Sequence, residues 1–170
     1  MTDLKNELSH LSIQHWLDYE FLTWRWFLKL FIIVFYIFVF LKVVDRKRLF
    51  EIVAYGAFIS LISTVLDIIG TYFVLWEYPF RVLPLEFSEI HDLVVIPITF
   101  MLVYQFFTDW KPFIIANILL AAVSAFVMEP IFVLLNFYKP IVWEHIYSFP
   151  IFFVLAVMTK YIIVKLKASR

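Results

Sequence analysis

Five long apolar stretches dominate this chain. Each approaches or exceeds the roughly 20 residues an α-helix needs to cross about 30 Å of hydrocarbon. They cover residues 24–44, 49–76, 89–107, 112–136 and 142–166, the third being the shortest. In a lipid solvent every backbone N–H and C=O must be satisfied within the protein, which favours helices over open sheet. Two glycines in 170 residues argue against the many turns of a β-barrel. The chain is 64% hydrophobic and 16% charged, against roughly 45–50% and 25% in soluble domains. The expected fold is therefore all-α: a polytopic transmembrane helical bundle of about five spans, a single domain over residues 21–170.

Residues 1–20 read differently. Leu4, Leu8, Leu11 and His15 recur at helical spacing, with Asp3, Lys5, Asn6 and Glu7 between them. That pattern predicts an amphipathic helix on the membrane surface. It lacks the basic start, apolar run and small-residue cleavage site of a signal peptide. The links 108–111 and 138–140 are short, so successive spans should be antiparallel neighbours, with Pro112 opening the fourth. The longest connection, 77–88, holds Pro79 and Pro84.

Lys and Arg set the expected orientation. Lys42, Arg46, Lys47, Arg48, Lys111, Lys165, Lys167 and Arg170 collect on one side, and only Lys5, Arg25, Arg81 and Lys139 on the other. The richer side should be cytoplasmic. A cell-membrane protein with its N-terminus outside and its C-terminus inside follows, its outer connection carrying Glu77 and Glu86. Trp24, Trp26, Trp76 and Trp143 then fall at the outer interface as an aromatic belt. Lys29 is expected to snorkel outward along its stem.

Several classes of function are excluded or unsupported. Net charge is zero, giving no case for nucleic-acid binding. Without cysteine there is no disulfide, thiolate metal site or cysteine nucleophile. No G-x-S-x-G elbow, P-loop or dinucleotide fingerprint occurs, and nothing names a cofactor.

Charges inside spans are costly, so each one is informative. Asp67 precedes Trp76 by nine residues, about 13 Å along a helix, and Glu129 lies about 10 Å before Asn136. His91 and Asp92 begin the third span, and Glu144 and His145 the fifth. All belong to the outer half. Pro97, Pro130 and Pro150 lie there too, each able to kink its helix and free the carbonyls of Leu93, Phe126 and Ile146. Together they suggest an outward polar cavity, with Asp67, Asp92, Glu129, Glu144 and His145 as candidate ligand-binding residues. As catalytic candidates, Glu129 would be a general acid and Asp67 or His91 the base. Plainer roles compete. Glu89 and Asp92 would complement a helix dipole under a Ser88 cap. Glu144 and His145 would be interfacial, and Asp67 would lock packing. Ser60, Ser63, Thr64, Gln105 and Asn117 would be interhelical glue. His91, Asp92, Glu129, Glu144 and His145 include metal-ligand types, but no motif such as H-E-x-x-H spaces them for it, so no metal is expected.

Asp67, Trp76-Glu77-Tyr78, Leu83-Pro84, Asp92, Pro97, Tyr104-Gln105, Glu129-Pro130, Trp143 and Tyr147-Ser148-Phe149-Pro150 resemble an uncharacterised family of small multi-span membrane proteins from endospore-forming Firmicutes of the Bacillus and Clostridium type. The resemblance covers roughly residues 45–165. It implies a bacterial plasma-membrane location and supplies no catalytic residue. Glu129-Pro130 alone is also similar to the acidic residues that small membrane carotenoid cyclases place beside proline.

Three readings of function stand at this point. The first is a membrane protein that binds a lipid, a hydrophobic small ligand or a partner subunit in the outer cavity. A proton-coupled carrier belongs to this class, and with five spans it would need to form a homo-oligomer. The second is an intramembrane acid/base enzyme acting on a lipid or isoprenoid. The third is a packing-only scaffold. A carrier would need a polar path through Asn117 and Gln105, and an enzyme a second titratable group beside Glu129 in one cavity.

Overall fold

A computed structural model describes residues 2–84 and 91–169, apart from the side chains of Leu4 and Lys5. The roles expected for Glu86, Ser88 and Glu89 lie outside the described residues. The fold is all-α and bundle-like. Helices α1 (Thr2–His15), α2 (Trp24–Val43), α3 (Leu49–Tyr72), α4 (Ile96–Phe106), α5 (Trp110–Val123), α6 (Glu129–Leu134) and α7 (His145–Ala168) follow in order. Short π-helical segments at Trp16–Glu20, His91–Val95 and Ser124–Met128 precede other elements, the last joining α5 to α6. Four continuous helices, Trp24–Val43, Arg46–Tyr72, Trp110–Leu134 and His145–Ala168, are long and apolar enough to cross a membrane. They fit an integral membrane protein. His91–Phe106, the third stretch, is apolar but shorter.

Local chemistry explains the boundaries. Thr23 caps α2 by accepting from the Trp26 N–H at 3.3 Å, as hydroxyl N-caps do. Asp45 accepts from the Lys47 N–H at 2.9 Å and opens the turn Arg46–Arg48. The helices α3 and α6 end on the same device. Leu75 N–H bonds to Gly70 C=O at 2.9 Å and Phe137 N–H to Phe132 C=O at 2.8 Å. Val74 (φ 55°) and Asn136 (φ 61°) take the left-handed position between. This is the Schellman closure of a helix, natural for asparagine and strained for a β-branched valine. Both chains then fold back and pair as β1 (Trp76–Glu77) and β2 (Lys139–Pro140), antiparallel, with Trp76 opposite Pro140. The Leu75 carbonyl accepts from Ile141 and Val142, and Lys139 meets Glu77 at 2.6 Å.

The core fills the end of the bundle that carries the basic residues. Ile52, Tyr55 and Ile59 of α3 pack with Phe100 and Tyr104 of α4, Phe113 of α5 and Leu155, Ala156 and Ile163 of α7. Tyr55 and Tyr104 stack at 4.3 Å between centroids. Polar groups lock this end. Glu51 receives Arg48 at 3.0 Å, Lys167 at 2.8 Å and the Tyr104 hydroxyl at 2.6 Å. Lys160, almost wholly buried, donates to the carbonyls of Phe107 at 3.2 Å and Thr108 at 2.7 Å. Gln105 bonds Asp45 N–H and Val43 C=O and so ties α4 to the end of α2 and the link that follows it, as interhelical glue. Ser63 and Asn117 do not. They bond back to Ser60 C=O and Phe113 C=O in their own helices, carbonyls already within reach of a side chain one turn later.

The opposite, loop-rich end holds the N-terminal segment more firmly than a surface helix alone requires. Leu8 and Leu11 are exposed on α1, but Glu20 is only 1% exposed. Its carboxylate meets the Arg81 guanidinium at 3.0 Å and accepts from the Arg81 backbone N–H. Trp16 and Trp26 donate to the carbonyls of Arg81 and Val82 at 3.2 and 3.1 Å. Residues Arg81 and Val82 are therefore pinned by the segment before α2 together with the first turn of α2. Glu20→Ala should release them, so that limited trypsin cuts after Arg81 at least ten times faster than in the unaltered protein. Equal cleavage rates would show that other contacts hold the loop.

Candidate functional site

A cavity of about 240 Å³ lies at the loop-rich end, between α2, α3, the start of the third stretch, α6 and α7. The folded-back segments form part of its wall. Gly70 makes this possible, because the Trp76 ring lies where a side chain would project from α3. A Cβ there would come within 2.1 Å of the indole. So placed, Trp76 Nε1 donates to Asp67 Oδ1 at 2.8 Å. The Tyr78 hydroxyl donates to the same oxygen. Trp143 packs edge-on to Trp76 at 4.9 Å and donates to Ser148 Oγ at 2.9 Å.

Asp67, Asp92, Glu129 and His91 all line this cavity, and the three carboxylates are buried. Residues from three separate stretches thus meet at one depth. Glu129 opens α6 and His145 opens α7, and their side chains join at 2.7 Å. His145 reaches the site through Glu129 and is not itself part of the wall. His91 Nδ1 stands 3.9 Å from Asp92 Oδ1, and its ring packs edge-on to Phe132. Glu144 behaves differently: it is exposed, caps α7 without a side-chain bond and does not line the cavity. Among the described residues no group of three or more His, Asp or Glu side chains is placed to hold a metal ion.

Two assignments from the sequence are corrected. Lys29 does not snorkel into water. It is 5% exposed, lines the cavity, donates to the Phe80 carbonyl and lies 5.0 Å from the centre of the Phe137 ring. The stem does run toward the loops, but the folded loop meets the ammonium before solvent does. Trp26, Trp76 and Trp143 are not free belt residues, because each indole N–H is bonded within the protein. Their indole N–H groups hold the loops in place, and only Trp24 of that set is strongly exposed, at 60%. Tyr78 and Tyr138 also belong to the wall, although neither was a site candidate from the sequence. Burial, then the charges of Asp67 and Asp92, hold the Tyr78 phenol well above its usual range. Burial, then Glu129 and Asp67, raise that of Tyr138. Both stay protonated donors at any ordinary pH.

The prolines shape the site through π turns rather than by freeing single carbonyls alone. Pro97 and Pro130 each sit one residue into an α-helix that follows a π-helical segment. The N–H of Glu129 reaches back five residues to Ser124. Such turns are rare and favour functional sites. Pro150 stands inside α7, one turn beyond His145.

A larger, more open cavity of about 720 Å³ lies between residues 15–20 and 71–81. It shares Trp76 and Tyr78 with the first, so these two side chains form a common wall. No family model, curated protein or solved structure matches this chain.

Proposed function

We propose that this integral membrane protein binds a small ligand in the cavity at its loop-rich end, with Asp67, Asp92 and Glu129 recognising it and His145 positioning Glu129. The observation that carries this reading is the cavity itself. A partly open, largely apolar space with aliphatic and aromatic walls and a few convergent polar groups is the usual form of a ligand site. A scaffold would need the carboxylates paired but no cavity beside them. The packed core from Tyr55 to Phe113 weighs against a through-going carrier path, and Gln105 is bonded to the link between α2 and α3. On the charge asymmetry the cavity faces outward and the basic end faces the cytoplasm. The resemblance noted above would put it in a bacterial plasma membrane.

A lipid or isoprenoid enzyme remains the second reading, favoured by one observation: Glu129, Asp67 and His91 share one cavity, as acid/base chemistry requires. Both readings depend on Glu129. Glu129→Gln keeps the shape and can still meet His145. It should melt within a few degrees of the unaltered protein yet retain at least ten times less co-purified ligand in native mass spectrometry after gentle extraction. Undiminished retention would overturn both. Chemical change in an added candidate lipid, lost in the same variant, would select the enzyme.

A further inference from the structure

The chemistry of the wall says more about the ligand than that it is small. Three carboxylates, Asp67, Asp92 and Glu129, enter the cavity, and among the described residues Lys29 is the one lysine or arginine on its wall. Trp76, Trp143, Tyr138 and Phe137 line the same cavity. Aromatic faces attract cations through the ring quadrupole, most strongly where water is excluded. Carboxylates with aromatic walls are how an ammonium group is recognised, and they repel an anionic ligand.

The chain supplies its own precedent. The Lys29 ammonium sits in this wall, 5.0 Å from the centre of the Phe137 ring, with the Phe80 carbonyl as acceptor. The same surroundings therefore already hold one ammonium group out of water. The Tyr78 and Tyr138 phenols respond to the same negative field, each pushed up in part by the nearby carboxylates.

We propose that the cavity takes an organic ammonium ion, a primary amine or a quaternary amine of a few carbon atoms, held by Asp67, Asp92 and Glu129 against the Trp76, Trp143 and Tyr138 rings. This rests on the reading of the cavity as a binding site. A soluble amine and a lipid headgroup share the ammonium chemistry, so the test must separate them.

The test uses the full chain in nanodiscs of phosphatidylglycerol, whose headgroup has no ammonium. Tryptophan emission reports the cavity through Trp76 and Trp143. Choline and butylammonium are titrated against their neutral counterparts, 3,3-dimethylbutan-1-ol and butan-1-ol. At least one ammonium probe should shift the emission saturably, at least ten times more tightly than its neutral counterpart. Asp92→Asn should weaken it at least tenfold, as should Asp67→Asn if that variant keeps its fold. Nanodiscs of phosphatidylethanolamine or phosphatidylcholine that give the shift with no added probe would also support the ammonium site and identify a lipid headgroup as its source. Neutral probes binding as well as ammonium probes would overturn the cation inference and leave the binding site standing. No saturable binding of any probe or headgroup would overturn the cation inference and remove the support for a small-ligand site.

Discussion

Gly70→Ala should destabilise this protein more than any other single methyl group added to it. The new Cβ would stand 2.1–2.2 Å from the Trp76 ring, and an indole held on several sides cannot slide away as a flexible chain can. Moving it breaks the 2.8 Å bond to Asp67 and the contact with Trp143, and strains the pairing of Trp76 with Pro140. Overpacking of this kind costs about 1–3 kcal/mol, and loss of a donor to a buried carboxylate about 1–3 kcal/mol more. A melting temperature lower by about 5–15 °C in detergent is expected, with a red shift of tryptophan emission as the ring meets water. Gly56→Ala is the control. There the Cβ would meet the thioether of Met101, which can rotate aside, so a loss under about 1.5 kcal/mol is expected. Equal melting of the two variants would mean that the indole is not the fixed body described.

The second large effect belongs to the other end of the bundle. Lys160→Met keeps the length of the side chain and removes its charge and donors. The carbonyls of Phe107 and Thr108, which end α4 and lead into α5, then lose their buried partner. Each carbonyl left unsatisfied costs about 1–3 kcal/mol. The ammonium also lies 3.9 Å from the centre of the Phe113 ring and 5.1 Å from that of Trp110, a contact worth up to about 2 kcal/mol when desolvated. A positive charge at the C-terminal end of α4 further complements its dipole. Amide exchange should speed up at residues 107–113 by about tenfold or more, the change that 1.4 kcal/mol produces. Exchange unchanged at that turn would show that water or another donor replaces the lysine without cost.

Much of the architecture was legible because the bilayer imposes a length on apolar helices. The stretches 24–44 and 142–166 fall within three residues of Trp24–Val43 and His145–Ala168 at each end. The convergence of Asp67, Asp92 and Glu129 was legible for the same reason, since antiparallel spans of known length fix the depth of each residue. What sequence did not disclose depends on where the chain goes after a helix ends. Trp76 and Trp143 have the composition of an interfacial belt, and only the left-handed turns at Val74 and Asn136 send the chain back over the bundle. Lys29 lies where a lysine ordinarily reaches water, and the acceptor it meets, Phe80, is more than fifty residues away. Glu20 likewise finds Arg81 across the fold. One signal for Glu20 was present: a carboxylate directly before an apolar span is costly unless something answers it.

The π-helical segment Ser124–Met128 sets the rotation of everything that follows it. A π turn accommodates one more residue than the α-helical turn it replaces, and each residue advances an α-helix by about 100°. Deleting Ala125 would therefore let Trp110–Leu134 close into an unbroken α-helix with Glu129 swung away from His145. The span would stay as apolar as this one, and its glutamate would face another neighbour. The meeting of Glu129 with His145 thus depends on how many residues stand upstream as much as on which residue stands at position 129.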